Sequence, residues 1–146
     1  MIERVIAIVI EIGRPARSCQ YTARPAQIDT HAFASRHPSH RRCEAWRLRL
    51  LAYLQANRDH AASALRRMGL DVVLPEASYL MWIDASAVLP EGANAVEIFS
   101  EGGVALSGGE SFGGSPRTCR LNFACRRETL DEALRLMEAA LRSARA

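Results

Sequence analysis

Residues 118–124, TCRLNFA, carry the pattern that decides the fold. Alternate residues of a β-strand point to opposite faces of the sheet. One face of this strand is therefore predicted to be apolar, with Cys119, Leu121 and Phe123, and the other to carry Arg120, Asn122 and Ala124. We expect the apolar face to pack on helices and the other to remain open.

Helical patterns lie on both sides of this strand. Thr129 and Glu132 form a capping-box pair, which predicts the start of a last helix. Residues 44–68 carry apolar side chains mostly three or four positions apart and end at Gly69. This pattern predicts one long amphipathic helix with a glycine C-cap.

Shorter elements fill the interval between the two helices. Strands are predicted at 71–75, 78–84 and 104–107, and a short helix at 93–100. The loop GGESFGG follows and is interpreted as structural, because no helix starts directly behind it and no GxGxxG motif is present. The order predicts an α+β fold, a small, mostly antiparallel sheet with helices on one face, preceded by a long linking helix.

Residues 1–43 differ in composition from the rest. They mix proline, arginine, serine and histidine without a sustained period, which predicts loop or disorder except for a buried strand at 5–12. Seven arginines against three acids leave a basic arm for nucleic acid as a weak alternative, since the arginines are dispersed. The candidate zinc ligands match no common spacing, so no metal is predicted: His31, His37, His40 and Cys43.

Composition excludes several functions. All 19 basic residues among the 146 are arginine, so the chain has no lysine for a Schiff base or for a GxxxxGK[ST] phosphate loop. The four cysteines form no CxxC pair, which argues against a disulfide or zinc framework. The apolar run from Val5 to Ile10 is too short for a signal peptide or a bilayer, so we expect a cytoplasmic protein without a membrane partner.

Arg120 is the main candidate for a binding residue. A charge on a short, otherwise apolar strand needs a partner or a wet cleft. The planar guanidinium is suited to gripping a carboxylate with two hydrogen bonds. The alternative is an internal salt bridge to a glutamate such as Glu110.

Four ordered stretches resemble a known family: WRLRLLAYLQANRDH, LPEASYLMWIDASAV, GVALSGGESFGG and CRLNFACRRETLDEALRLM. They resemble the C-terminal region of fold-type-I pyridoxal-phosphate (PLP) enzymes, in particular the cystathionine β-lyase-like carbon-sulfur lyases of the class I/II aminotransferase superfamily. The resemblance covers about residues 44–142. Gly108 and Arg126 stand where relatives often have proline.

The resemblance implies that residues 44–146 are the small C-terminal domain with its linking helix. Arg120 then stands where the family's arginine binds the substrate α-carboxylate, and Asn122 on the same face would support it. PLP is the cofactor of the intact enzyme, but its lysine, aspartate and phosphate loop belong to a large domain that has no counterpart in residues 1–43. We expect no stable PLP binding and no catalysis by this chain alone.

The predicted function is therefore a truncated or split C-terminal domain of a PLP-dependent carbon-sulfur β-lyase or aminotransferase. Its partners would be an amino-acid carboxylate and a large-domain chain or a second copy of itself. The alternative is a noncatalytic interaction module, for which an exposed apolar patch is expected.

Overall fold

The structure, a computed structural model, describes residues 6–7 and 38–145, with side chains from residue 44. The chain divides into two compact units, residues 1–10 with 52–146, and residues 11–51. The helices are α1 (Pro38–Arg67), α2 (Ala95–Glu101) and α3 (Arg127–Ala144). The strands are β1 (Ile6–Ala7), β2 (Asp71–Val73), β3 (Leu80–Asp84), β4 (Val104–Ala105), β5 (Ser107–Gly108) and β6 (Thr118–Asn122).

The main sheet of the larger unit has four strands in the order β2-β3-β6-β5, and every neighbouring pair is antiparallel. The two central strands pair over five residues, from Leu80 opposite Asn122 to Asp84 opposite Thr118. With its helices this sheet confirms the α+β prediction.

The apolar core lies on one face of that sheet. Met81, Ile83, Cys119 and Leu121 are almost fully buried, while their neighbours along both central strands are half-buried. They belong to one cluster with Leu65 of α1, Phe99 of α2 and four side chains of α3, Leu130, Leu134, Met137 and Leu141. The predicted alternation in residues 118–124 is therefore confirmed, and Arg120 lies on the face away from the core.

The long helix α1 begins at Pro38, six residues before the predicted start. Proline is common in the first helical turn, because its fixed φ suits the helix and its missing N–H is not needed there. The predicted C-cap is confirmed, since Gly69 has a φ of 87° and its N–H bonds the carbonyl of Arg66.

Two local predictions were wrong. Helix α3 begins at Arg127, so Thr129 lies inside the first turn and the capping box with Glu132 does not form. The N-cap is Arg126, without a side-chain cap, and Glu132 bonds Arg135 instead. The strand predicted at 104–107 is divided at Leu106: β4 pairs in parallel with β1, and β5 joins β6.

The predicted N-terminal strand at 5–12 is described only at Ile6–Ala7, where it is a strand, and its other residues lie outside the described part. No helix among the described residues is long and apolar enough to cross a membrane.

Candidate functional site

Arg120 lies in the middle of β6 on the open face of the sheet. Its neighbours across the ladder are Trp82 on β3 and Ser107 on β5. The residues on either side of it along the chain, Cys119 and Leu121, are fully buried and fix the strand against the core. The backbone therefore holds this side chain in a defined direction.

Two aromatic rings, here called the aromatic corner, contact the guanidinium of Arg120. Its central carbon lies 4.5 Å from the ring centroid of Phe112 and 5.7 Å from that of Trp82. The two rings meet edge to face, with centroids 5.4 Å apart and planes 77° apart. A guanidinium against an aromatic face is attracted by the negative potential of the ring.

Within the described part of the chain, the side chain of Arg120 has no hydrogen-bond acceptor and no ion pair. Its Nε is shielded from solvent and has no partner. The salt bridge to Glu110, the alternative considered from the sequence, is not among the ion pairs of the described residues. A buried donor left without an acceptor costs about 1–3 kcal/mol, so this cation is suited to an acceptor supplied by a ligand.

Asn122, two residues further along β6, is occupied by a local hydrogen bond. Its Oδ1 accepts from the backbone N–H of Ala124 at 2.9 Å, which closes a turn at the end of the strand. The oxygen therefore stabilises the turn, and the Nδ2 group remains the hydrogen-bond donor of the side chain.

The glycine-rich loop places Phe112 in the aromatic corner. Residues Glu110–Phe112 form a single 3₁₀ turn, which ends at Gly113 with a φ of 79°. The loop packs closely on Thr118, since a Cβ at Gly109 would lie 1.9 Å from the Thr118 hydroxyl. Gly109 N–H also bonds the Thr118 carbonyl at 2.9 Å.

Sequence reasoning missed both members of the aromatic corner. The alternation of SYLMWID places Trp82 on the face opposite Met81 and Ile83, which was the available signal. Phe112 had no such signal, because its position depends on the shape of a loop.

A groove of about 370 Å³ lies beside the aromatic corner. Trp82 and Phe112 line it, together with Asp71, Asp84 and Thr118, whereas Arg120 does not. Asp71 and Asp84 face each other across the β2–β3 ladder. Hydrogen bonds from the side chain and backbone of Ser86, followed by the charge of Arg117, lower the pKa of Asp84.

The other candidates from the sequence lie elsewhere. The side chains of His31, His37, His40 and Cys43 are outside the described part. Cys119 and Cys125 are free thiols, and burial raises the pKa of Cys119 to about 12. No cluster of three metal-binding side chains occurs among the residues that the structure describes.

Comparison with known proteins agrees with this fold. The family model for aminotransferase class I and II matches residues 4–136, so the chain belongs to that family. Within it, the sequence is similar to the cystathionine β-lyase-like group of fold-type-I PLP enzymes. The match begins at residue 4, before the boundary predicted near residue 43.

Three relatives illustrate the similarity. The cystathionine β-lyase of Corynebacterium glutamicum is 44% identical over 60% of this chain and 24% of its own length. The cystathionine β-lyase PatB of Bacillus subtilis is 33% identical over 66% of this chain and 26% of its own. A PLP-bound aminotransferase-like structure from Clostridium difficile is 35% identical, covering 70% of this chain and 28% of that one, with a TM-score of 0.62. The chain thus spans about a quarter of the length of the curated relatives it matches.

Proposed function

We propose that this chain is the C-terminal, substrate-carboxylate-binding part of a PLP-dependent carbon-sulfur β-lyase or aminotransferase. The observation that carries the proposal is the guanidinium of Arg120, which is held against two rings and has no acceptor among the described residues. The order of the four sequence stretches and the family match support it. Residues 44–146 would form this domain, to which β1 adds a strand beside β4 and residues 38–43 add the first turns of the linking helix.

Arg120 would bind the α-carboxylate of an amino acid with its planar fork. Charge-assisted pairs of this kind are short and directional, so they fix the orientation of the ligand as well as its position. The contribution to a reaction would be alignment of the substrate, not proton or electron transfer. A substrate of the L-cystathionine type follows from the names of the curated relatives.

Asn122 would support the carboxylate site in two ways. Its Oδ1 fixes the turn that ends β6, and its Nδ2 remains a donor on the face of Arg120. The structural part of this role is local, because the bond closes over only two residues.

The residues present do not fit covalent binding of PLP, because the chain contains no lysine that could form the Schiff base. The solvent-shielded Nε of Arg120 lies beside apolar rings and suits one anionic group of a substrate. We therefore propose that PLP is held by a large domain outside this sequence, and that the chain alone neither binds it stably nor catalyses a reaction. That domain, or a second copy of the chain, would be the partner.

A noncatalytic interaction module is the second candidate, and the exposed apolar side chains of α1 favour it. Trp46 is 60% exposed, and Leu48, Leu50 and Leu51 are also exposed. Trp46 and Leu50, four positions apart, share one face of the helix and mark a surface that another protein can cover. The two proposals are compatible, since a large domain could occupy this surface.

The test uses Trp82 as a reporter of carboxylate binding. The chain has two tryptophans, so Trp46→Phe leaves only the one that contacts Arg120. We expect L-alanine and L-serine to change the Trp82 fluorescence of the full chain saturably, whereas L-alaninamide, which lacks the carboxylate, does not.

Matched variants separate the site from general charge effects. Arg120→Gln should abolish the response, and Arg142→Gln, at an exposed position of α3, should leave it intact. An equal response to L-alaninamide, or a response unchanged by Arg120→Gln, would contradict the proposed site. Dimerisation without carboxylate binding would favour the interaction module.

A further inference from the structure

We propose that Phe112 is a positioning residue, which fixes the orientation of the Arg120 guanidinium before a carboxylate binds. The inference rests on the proposed function only for the identity of the ligand. Its basis is the 4.5 Å distance between the guanidinium carbon and the Phe112 ring centroid.

Phe112 is not held in place by the apolar core. Its residue is 56% exposed, and it is absent from the cluster of buried side chains. Its ring makes an edge-to-face contact with Trp82 and lies against the guanidinium of Arg120. The contact with Arg120 therefore explains why a large apolar ring is exposed on this glycine-rich loop.

The loop that carries Phe112 is anchored on the same strand as Arg120. Gly109 and Gly114 leave no room for a side chain beside Thr118, and the Phe112 N–H bonds the Gly109 carbonyl at 2.8 Å. Thr118 and Arg120 are two residues apart on β6 and so share its open face. Strand and loop thus form one support, which sets the ring against the guanidinium.

This contact would act by ordering the cation in advance. A free arginine side chain samples many rotamers, and a ligand that binds it must immobilise it. Phe112 covers the guanidinium, and the Nε is shielded from water. Loss of the ring should therefore loosen Arg120 and weaken carboxylate binding about three- to thirtyfold, the range expected for a cation–π contact.

The experiment observes Arg120 directly by nitrogen-15 NMR of the full chain. The Nε–Hε signal is assigned by its disappearance in Arg120→Gln. In the native chain we expect a ring-shifted signal that exchanges slowly with water. Phe112→Ala should remove the ring shift and accelerate exchange, Phe112→Leu should do so partly, and Phe112→Tyr should restore native behaviour because it keeps the ring face.

Leu74→Ala is the matched control, because Leu74 is also an exposed large apolar residue and is 41% exposed. It should leave the Arg120 signal unchanged. Urea unfolding of both variants shows whether the effect exceeds a loss of stability. Titrations with acetate and L-alanine then measure the affinity for a carboxylate.

The outcomes separate this inference from the proposed function. An Arg120 signal whose shift and exchange are the same in Phe112→Ala as in the native chain overturns the positioning role. If Phe112→Ala releases the signal but the native chain binds neither acetate nor L-alanine, the positioning role stands and the carboxylate-binding function fails. Release of the signal together with weaker binding supports both.

Discussion

The side-chain amide of Asn57, in the middle of α1, donates a 3.0 Å hydrogen bond to the backbone carbonyl of Phe123, just beyond β6. The same nitrogen donates to the carbonyl of Cys125 at 2.9 Å, and the Tyr53 hydroxyl reaches that carbonyl at 3.1 Å. Asn57 is completely buried. Two side chains of one helix therefore hold the segment that follows the Arg120 strand.

Asn57→Ala should lower the free energy of unfolding by about 2–4 kcal/mol. The change removes the donor to the Phe123 carbonyl and one of the two donors to the Cys125 carbonyl, and it opens a small cavity. Urea denaturation monitored by circular dichroism measures this loss. Tyr53→Phe removes one exposed bond and should cost only about 0.5–1.5 kcal/mol. Equal losses in the two variants would show that burial of the amide is unimportant.

Arg126→Ser should stabilise the protein by about 0.5–2 kcal/mol, because serine is a favourable N-cap. Arg126 already has an extended backbone, with φ −63° and ψ 148°, but no side-chain cap. Its positive charge also opposes the helix dipole. Thermal unfolding of Arg126→Ser and Arg126→Ala separates the cap from the charge. The serine variant should be the more stable of the two, and the reverse order would refute the capping argument.

Gly109→Ala should cost about 1–3 kcal/mol, the usual range for overpacking. Its Cβ would meet the Thr118 hydroxyl at 1.9 Å and the Thr118 carbonyl at 2.9 Å. The double variant with Thr118→Ala should recover part of this loss, since the hydroxyl is then absent while the Thr118 Cβ and carbonyl oxygen, each at 2.9 Å, remain. Gly113→Ala, with a φ of 79° and open space around it, reports backbone strain alone. A double-mutant cycle by urea unfolding checks the coupling, and strictly additive losses would contradict it.

Stability should fall in alkaline solution because of Cys119. Burial raises the pKa of this thiol from its ordinary 9.0 to about 12. The unfolded chain therefore releases the proton first, and the contribution that is complete below pH 9 is lost as the pH rises towards 12. The slope for one proton is at most about 1.4 kcal/mol per pH unit.

The measurement compares urea unfolding of the native chain and Cys119→Ala between pH 8 and 10.5, an interval of about 2.5 pH units that begins below the ordinary thiol pKa. The variant should show the shallower decline. Cys125→Ala, at the half-buried cysteine, should retain most of the native slope. Parallel curves for the native chain and Cys119→Ala would show that this thiol does not control the alkaline limit.

Acid should destabilise the protein partly through Asp84. Hydrogen bonds from Ser86 hold the pKa of this carboxyl below its ordinary 3.8, so its contribution is present above that pH and is lost as the pH falls through the lowered value. Asp84→Asn should therefore flatten the acid limb of a stability curve. Asp71→Asn is the matched variant, and it should stabilise the fold slightly at pH 7 because it removes a like charge opposite Asp84. A loss of stability in Asp71→Asn would contradict the expected repulsion between the two carboxylates.

Predictions from the sequence were most accurate where a pattern repeats. The alternation of residues 118–124 placed Arg120 opposite the core, and the spacing of residues 44–68 ending at Gly69 predicted the helix end. Local signals were weaker. Thr129 and Glu132 fit a capping box by spacing alone, but the backbone turns at Arg126, and Glu132 pairs with Arg135.

By itself, the sequence determined the α+β class, the family and the face that carries Arg120, because these depend on residue order and on the two-residue period of a strand. The absence of lysine likewise needed no structure. Tertiary structure alone decided that Trp82 and Phe112, 30 positions apart, meet at the guanidinium of Arg120. It also decided that Asn57 holds the end of β6. Such contacts depend on strand register and loop geometry, which bring distant residues together without leaving a periodic pattern in the chain.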